Sequence, residues 1–107
     1  MKSRYILNIG LILEPSKFSE VIEWAKDNIS RFTTAEGIDS FDLLEVAEVP
    51  GDPDFGKDAR NLSIQLNVDT IETAHRWIEN TLPEMMTEYN SLVQEPLIFM
   101  TILKKLL

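Results

Sequence analysis

The hydrophobic period of this chain switches between two and about 3.6 residues along its length, and that order of switches limits its folds more than any other feature. Tyr5, Leu7, Ile9, Leu11 and Leu13 alternate with Arg4, Ile6, Asn8, Gly10 and Ile12, which predicts a central strand over 4–13. Pro15-Ser16 then opens a helix with Ser16 as its N-cap, and Phe18, Val21, Ile22, Ala25, Ile29 and Phe32 form one apolar stripe. Gly37 just beyond it suits a left-handed turn. Phe41 to Val49 reads as a strand carrying Asp42, Glu45 and Glu48, the kind of charge that blunts a sheet edge. A loop rich in Gly, Pro and Asp (50–56) joins it to a second alternating run, Asn61 to Val68, as a long-looped hairpin. Asp69-Thr70-Ile71-Glu72 resembles a capping box, and Ile71, Ala74, Ile78, Leu82, Met85, Met86 and Tyr89 continue a helical stripe. Pro83 removes a backbone donor and predicts a kink or break there. After Pro96, the continuous apolar run Leu97 to Leu103 predicts a strand buried on both faces.

The order β-α-β-β-α-β predicts an α+β, ferredoxin-like fold: a four-stranded antiparallel sheet ordered 4-1-3-2 with two helices on one face. At 107 residues the chain is read as a single domain, 1–107. The sheet face away from the helices is expected to carry Ile6, Ile12, Ile98, Met100 and Ile102. Such a face needs covering, and a homodimer formed through it is the simplest solution.

Composition removes several function classes. There is no cysteine, hence no disulfide scaffold, thiolate metal site or Cys nucleophile. Ten Lys and Arg against 18 Asp and Glu leave a net charge of −8, which argues against nucleic acid and anionic membranes as partners. The basic start Met1-Lys2-Ser3-Arg4 with the apolar run Tyr5 to Leu13 imitates a secretory signal. Asn8 and Gly10 interrupt that run, however, and Glu14-Pro15-Ser16 follows without a small-x-small cleavage site. It is also shorter than the ~20 residues that span a bilayer, so a cytoplasmic protein is expected.

Three residues stand out as candidate ligand contacts. Asn8 and Gln65 interrupt otherwise good sheet formers on neighbouring central strands, on the face away from the helices. Amides there either fix a dimer's register or orient a small ligand. His75, the lone histidine, has Glu72 and Glu79 at helical spacing; it is either a boundary residue or a carboxylate-paired functional group. The acidic stretch 36–58 reads as a solvated edge, with attraction of a basic partner as the sharper alternative. Asp52-Pro53-Asp54-Phe55-Gly56 satisfies neither a calcium loop nor a kinase signature. Trp24 and Trp77 lie off the main stripes, either widening the core or bounding an apolar groove. No motif requires a cofactor or a metal.

Several stretches resemble the small bacterial family of a domain of unknown function, DUF4286. They are Ile22-Glu23-Trp24 with Gly37, Phe41 to Val46, Gln65 through Asp69-Thr70-Ile71-Glu72 to Arg76-Trp77-Ile78 and Pro83, and Phe99 to Leu103. The resemblance covers nearly the whole chain and implies a ferredoxin-like fold of the dimeric α/β-barrel kind, with no established activity. Members often carry His and Pro near the end of the first helix, where this chain has Ile29-Ser30-Arg31-Phe32, so that His has no counterpart here.

Two principal functions remain in competition. The favoured one is a non-catalytic dimeric module binding a small apolar ligand or a protein partner. The alternative is a cofactor-independent, monooxygenase-like enzyme acting on an apolar or aromatic small molecule, with His75, Asn8 and Gln65 as its acid/base and orienting groups.

Overall fold

The computed structural model describes residues 3–94 and 96–107; Met1 and Lys2 of the basic start lie outside them. Four strands and three α-helices follow in the order β1 (Tyr5–Leu13), α1 (Phe18–Phe32), β2 (Ile38–Glu45), β3 (Arg60–Val68), α2 (Ile71–Asn80), α3 (Leu82–Leu92) and β4 (Leu97–Lys104). The sheet is antiparallel throughout and runs β2-β3-β1-β4 from edge to edge. Leu7, Ile9 and Leu11 of β1 and Leu62, Ile64 and Leu66 of β3 are buried against the helices, as their alternation requires.

Where the sequence suggests two helices, there are three. Pro83 cannot donate to the carbonyl four residues back, so α2 stops at Asn80 and the chain restarts at Leu82 with Pro83 in the first turn of α3. Ser16 is not an N-cap: Pro15–Lys17 forms a 3-10 turn, and Lys17 occupies the cap position of α1 without a side-chain hydrogen bond. The true cap of α2 is Thr70, whose hydroxyl accepts the Thr73 N–H at 3.2 Å. β2 begins and ends earlier than its composition suggests, at Ile38 and Glu45, so Glu48 belongs to the following loop.

β4 is a further correction. It lies at the sheet edge, as the expected order 4-1-3-2 requires, but Leu97, Phe99 and Leu103 are exposed, so it is not a strand buried on both faces. An uninterrupted apolar run signals a strand with two faces to cover, and a single chain covers only part of this one. Among the described residues no helix is long and apolar enough to cross a membrane.

The helical layer is joined by aromatic side chains. The Trp77 indole is buried and donates to the Phe32 carbonyl at 2.9 Å, tying α2 to the end of α1. Trp24 meets Phe32 edge-on, with ring centroids 5.6 Å apart, and donates to Glu88 Oε1 at 3.0 Å; Arg31 pairs with the other oxygen of Glu88. Both tryptophans therefore widen the core stripe: Trp77 belongs to the core and Trp24 packs against it. Tyr89 packs beside Trp24, fully buried, and its hydroxyl has no hydrogen-bond partner among the described residues. Burial pushes that hydroxyl's pKa up.

Two carboxylates make the fold sensitive to acid. The Trp24 indole N–H, and after it Arg31, hold the Glu88 carboxyl below its ordinary 4.5. The Thr73 hydroxyl and the Thr70 N–H likewise hold Asp69 below 3.8. A carboxyl whose pKa falls on folding adds stability that is complete above its unfolded pKa and lost as pH drops through the folded one. The thermal midpoint is therefore expected to stay level down to about pH 5 and to fall below about pH 4. Glu88→Gln should fall less steeply over that acid range, as followed by circular dichroism; a curve parallel to wild type would remove Glu88 from the explanation.

Candidate functional site

The helices cover one side of the sheet and leave the other open, and register decides which residues share that open face. β1 pairs Asn8 with Gln65 of β3 on one side and with Thr101 of β4 on the other, while Gln65 pairs with Asp42 of β2. Thr101, Asn8, Gln65 and Asp42 thus form one polar row across all four strands. The next row towards Leu13 is Phe99, Gly10, Ser63 and Leu44.

The same register corrects the expected apolar face. Leu11 pairs with Ile98, Ile9 with Met100 and Leu7 with Ile102, so these three β4 residues belong to the helix side. Ile6 and Ile12 are joined on the open face by Leu103 and Leu97, their register partners, with Phe99 between them. Paired positions of β1 and β4 have numbers of opposite parity, so matching even with even inverts the strand. Phe99 is 51% exposed, and its ring lies across Gly10, where a Cβ would come within 2.6 Å of its Cζ. A glycine inside this strand marks the close approach of that ring.

Asn8 is the hub of the polar row. Its side-chain carbonyl accepts from the Ser63 hydroxyl at 2.5 Å and from the Gln65 amide at 3.2 Å, and its own amide donates to Thr101 Oγ1 at 3.4 Å. The open face is therefore divided. Over β1 and β4 it is mostly apolar; over β3 it presents Asn61, Ser63, Gln65 and Asn67. Its free groups are neutral donors and acceptors with Asp42 at one end, suited to orienting a hydrogen-bonding group rather than to moving a proton.

Of the three sequence candidates, Asn8 and Gln65 are brought together and His75 is not. His75 is exposed on α2, in the helical layer, with the sheet between it and the two amides. Ser63, Thr101 and Gly10 are not among the sequence candidates for ligand contact, although Gly10 stands out there as a break in the apolar run. Thr101 could have been found as the one polar residue inside the Leu97 to Leu103 run, and Gly10 as the one glycine within a strand.

Two concavities of about 380 Å³ lie away from the amides. One, at the end of β1, is lined by Ile12, Glu14, Asp58, Val93, Gln94 and Leu97 among others; the other flanks α2 near Asp69, Thr73, Arg76 and Asn80. Among the described residues no three His, Asp or Glu side chains are grouped to hold a metal.

Sheet order, helical layer and bare face together define an α+β protein with a single four-stranded antiparallel sheet covered on one side. The family follows from the sequence: the model of the domain of unknown function DUF4286 matches residues 4–106, and the chain belongs to that family. Comparison with curated proteins gives no match. Among solved structures, a dimeric ferredoxin-like protein from an uncultured marine organism superposes with a TM-score of 0.69 at 8% identity, covering 99% of this chain and 98% of that one. Rv0793 from Mycobacterium tuberculosis gives 0.65 at 17% identity, with 95% of each chain covered. The heme-degrader MhuD from the same organism gives 0.62 at 15%, covering 95% of this chain and 96% of that one. At these identities the likeness is one of fold.

Proposed function

We propose that this chain is a cytoplasmic, non-catalytic binding module that associates with a second copy through its open sheet face, with Asn8 and Gln65 orienting a small ligand beside the contact. One observation carries the proposal: an apolar half-face of Ile6, Ile12, Leu97, Phe99 and Leu103 adjoins a hydrogen-bonded amide cluster on the same side of the sheet. Apolar surface collected in this way favours association, and polar groups at its border give the contact specificity. That a fold neighbour is described as dimeric is consistent with it. The alternative, a cofactor-independent enzyme using His75 with the two amides, is weakened by the sheet that separates them.

Ile12→Asp tests the association. Ile12 lies on β1, one strand in from the edge, and a carboxylate there opposes burial of the half-face. Native mass spectrometry is expected to show a lower copy number for Ile12→Asp than for wild type at equal concentration, with unchanged circular dichroism. An unchanged copy number would remove the face from the interface. A small-molecule mass retained by wild type and lost in Gln65→Ala would assign the amides to the ligand; retention in both would exclude them.

A further inference from the structure

The two edges of the sheet are built differently. β2 carries a register irregularity between Ile38 and Ser40 and is lined with Asp39, Asp42 and Glu45. Irregularity and charge are how sheets prevent strand addition. β4 has neither: its pairing with β1 runs without interruption from Leu97 to Lys104, and Leu97 to Leu103 holds no charge and no proline.

The hydrogen-bond pattern shows which backbone groups that edge presents. The Lys105 N–H donates to the Arg4 carbonyl at 2.9 Å. Strand alternation then turns Leu97, Phe99, Thr101 and Leu103 towards β1 and leaves the N–H and C=O of Ile98, Met100 and Ile102 pointing outwards.

We propose that the β4 edge is a self-pairing site, at which β4 of a second copy adds antiparallel about a two-fold axis at Met100 and continues the sheet across both chains. The proposal shares with the preceding one the idea of self-association, but it uses a different surface and stands or falls separately. With Met100 opposite Met100 of the second copy, Ile98 lies opposite Ile102, and all of these are positions whose backbone groups point outwards. Each such pair exchanges two N–H···O bonds. The ladder has a built-in end, because Pro96 has no N–H and falls opposite Lys104. The axis also sets the two lysine-bearing ends apart, so no like charges meet.

Side-chain exposure points the same way. Met100 lies on the helix side, yet 38% of it is exposed, and no partner stacked on the open face can reach it. Edge pairing places the two Met100 side chains next to one another across the axis. An unrelated extended peptide would find outward amides here too, but the match about Met100 is specific to a second β4.

Met100→Pro is the direct test. The Met100 N–H makes no bond to β1, so proline there spares the intramolecular ladder while blocking the outer one. Native mass spectrometry is expected to show Met100→Pro at half the copy number of wild type; an equal copy number overturns the proposal. Because Ile12 is not on the edge, a drop in Ile12→Asp alone supports the face and rejects the edge, and a drop in Met100→Pro alone does the reverse. Should Met100→Pro fail to fold, hydrogen exchange on concentrated wild-type protein decides. Amides of Ile98, Met100 and Ile102 are expected to exchange at least about tenfold more slowly than in dilute protein. Fast exchange at these three beside slow exchange at Phe99, Thr101 and Leu103 would overturn self-pairing and leave the edge free for another occupant.

Discussion

Trp77→Ala is expected to destabilise the protein by about 3–5 kcal/mol, a large share of the ~5–15 kcal/mol that holds a domain of this size together. Trp77 is 2% exposed and packed into the core, and its indole provides the hydrogen bond to the Phe32 carbonyl where α1 ends. Alanine removes the ring and leaves both a cavity and a carbonyl in need of a partner. Trp77→Phe goes far towards separating the two losses, since it keeps most of the volume while deleting the donor, which should cost nearer 1–3 kcal/mol. Urea unfolding of the three proteins measures both differences. If Trp77→Ala lost less than about 1 kcal/mol, the helical layer would be less closely packed than described.

Gly37→Ala is the second substitution with a large expected effect. Gly37 has a φ of +93°, and a Cβ there would lie 2.6 Å from Asp69 Oδ1 and 2.8 Å from Thr73 Oγ1. Those atoms form the start of α2: Asp69 accepts from the Thr70 N–H at 2.7 Å and from the Thr73 hydroxyl. The cost combines left-handed backbone strain with a disturbed helix start, about 2–4 kcal/mol together. Gly51 supplies the control, with a φ of +90° and nothing within 4 Å of its built Cβ. Gly51→Ala should cost only the strain, about 1–2 kcal/mol. Equal thermal midpoints for the two variants would show that crowding at Asp69 and Thr73 contributes nothing.

Local pattern made much of the chain legible. The stripe from Phe18 to Phe32 and the alternation in Tyr5–Leu13 and Leu62–Val68 describe helix and strands correctly, because burial of one face imposes its period on the residues themselves. Pro83 announced its break for an equally local reason, a missing donor. Caps were harder to read. Ser16 and Thr70 are both good capping residues, and only Thr70 caps, since Pro15 leads the chain at Ser16 into a 3-10 turn instead. Trp24 and Trp77 looked peripheral on a helical wheel. Their burial depends on a third helix, α3, and on the end of α1, neither of which their own spacing reveals.

The candidate site divides along the same line. That Asn8 and Gln65 are unusual residues for central strands was visible in the sequence; that Asn8 accepts from Gln65 and Ser63 at once depends on a register between strands more than 50 residues apart. β4 shows the difference most sharply. Its sequence determined that it would be a strand with apolar residues on both sides. The expected order 4-1-3-2 already placed it at an edge; tertiary structure decided how little of it one chain covers, and that Phe99 and Leu103 rather than Ile98 and Ile102 look out from the open face. Period is set within a few residues by what each side chain gains from burial. Register is set by two distant segments together, and because the side-chain period of a strand is two, a shift of one residue exchanges its faces.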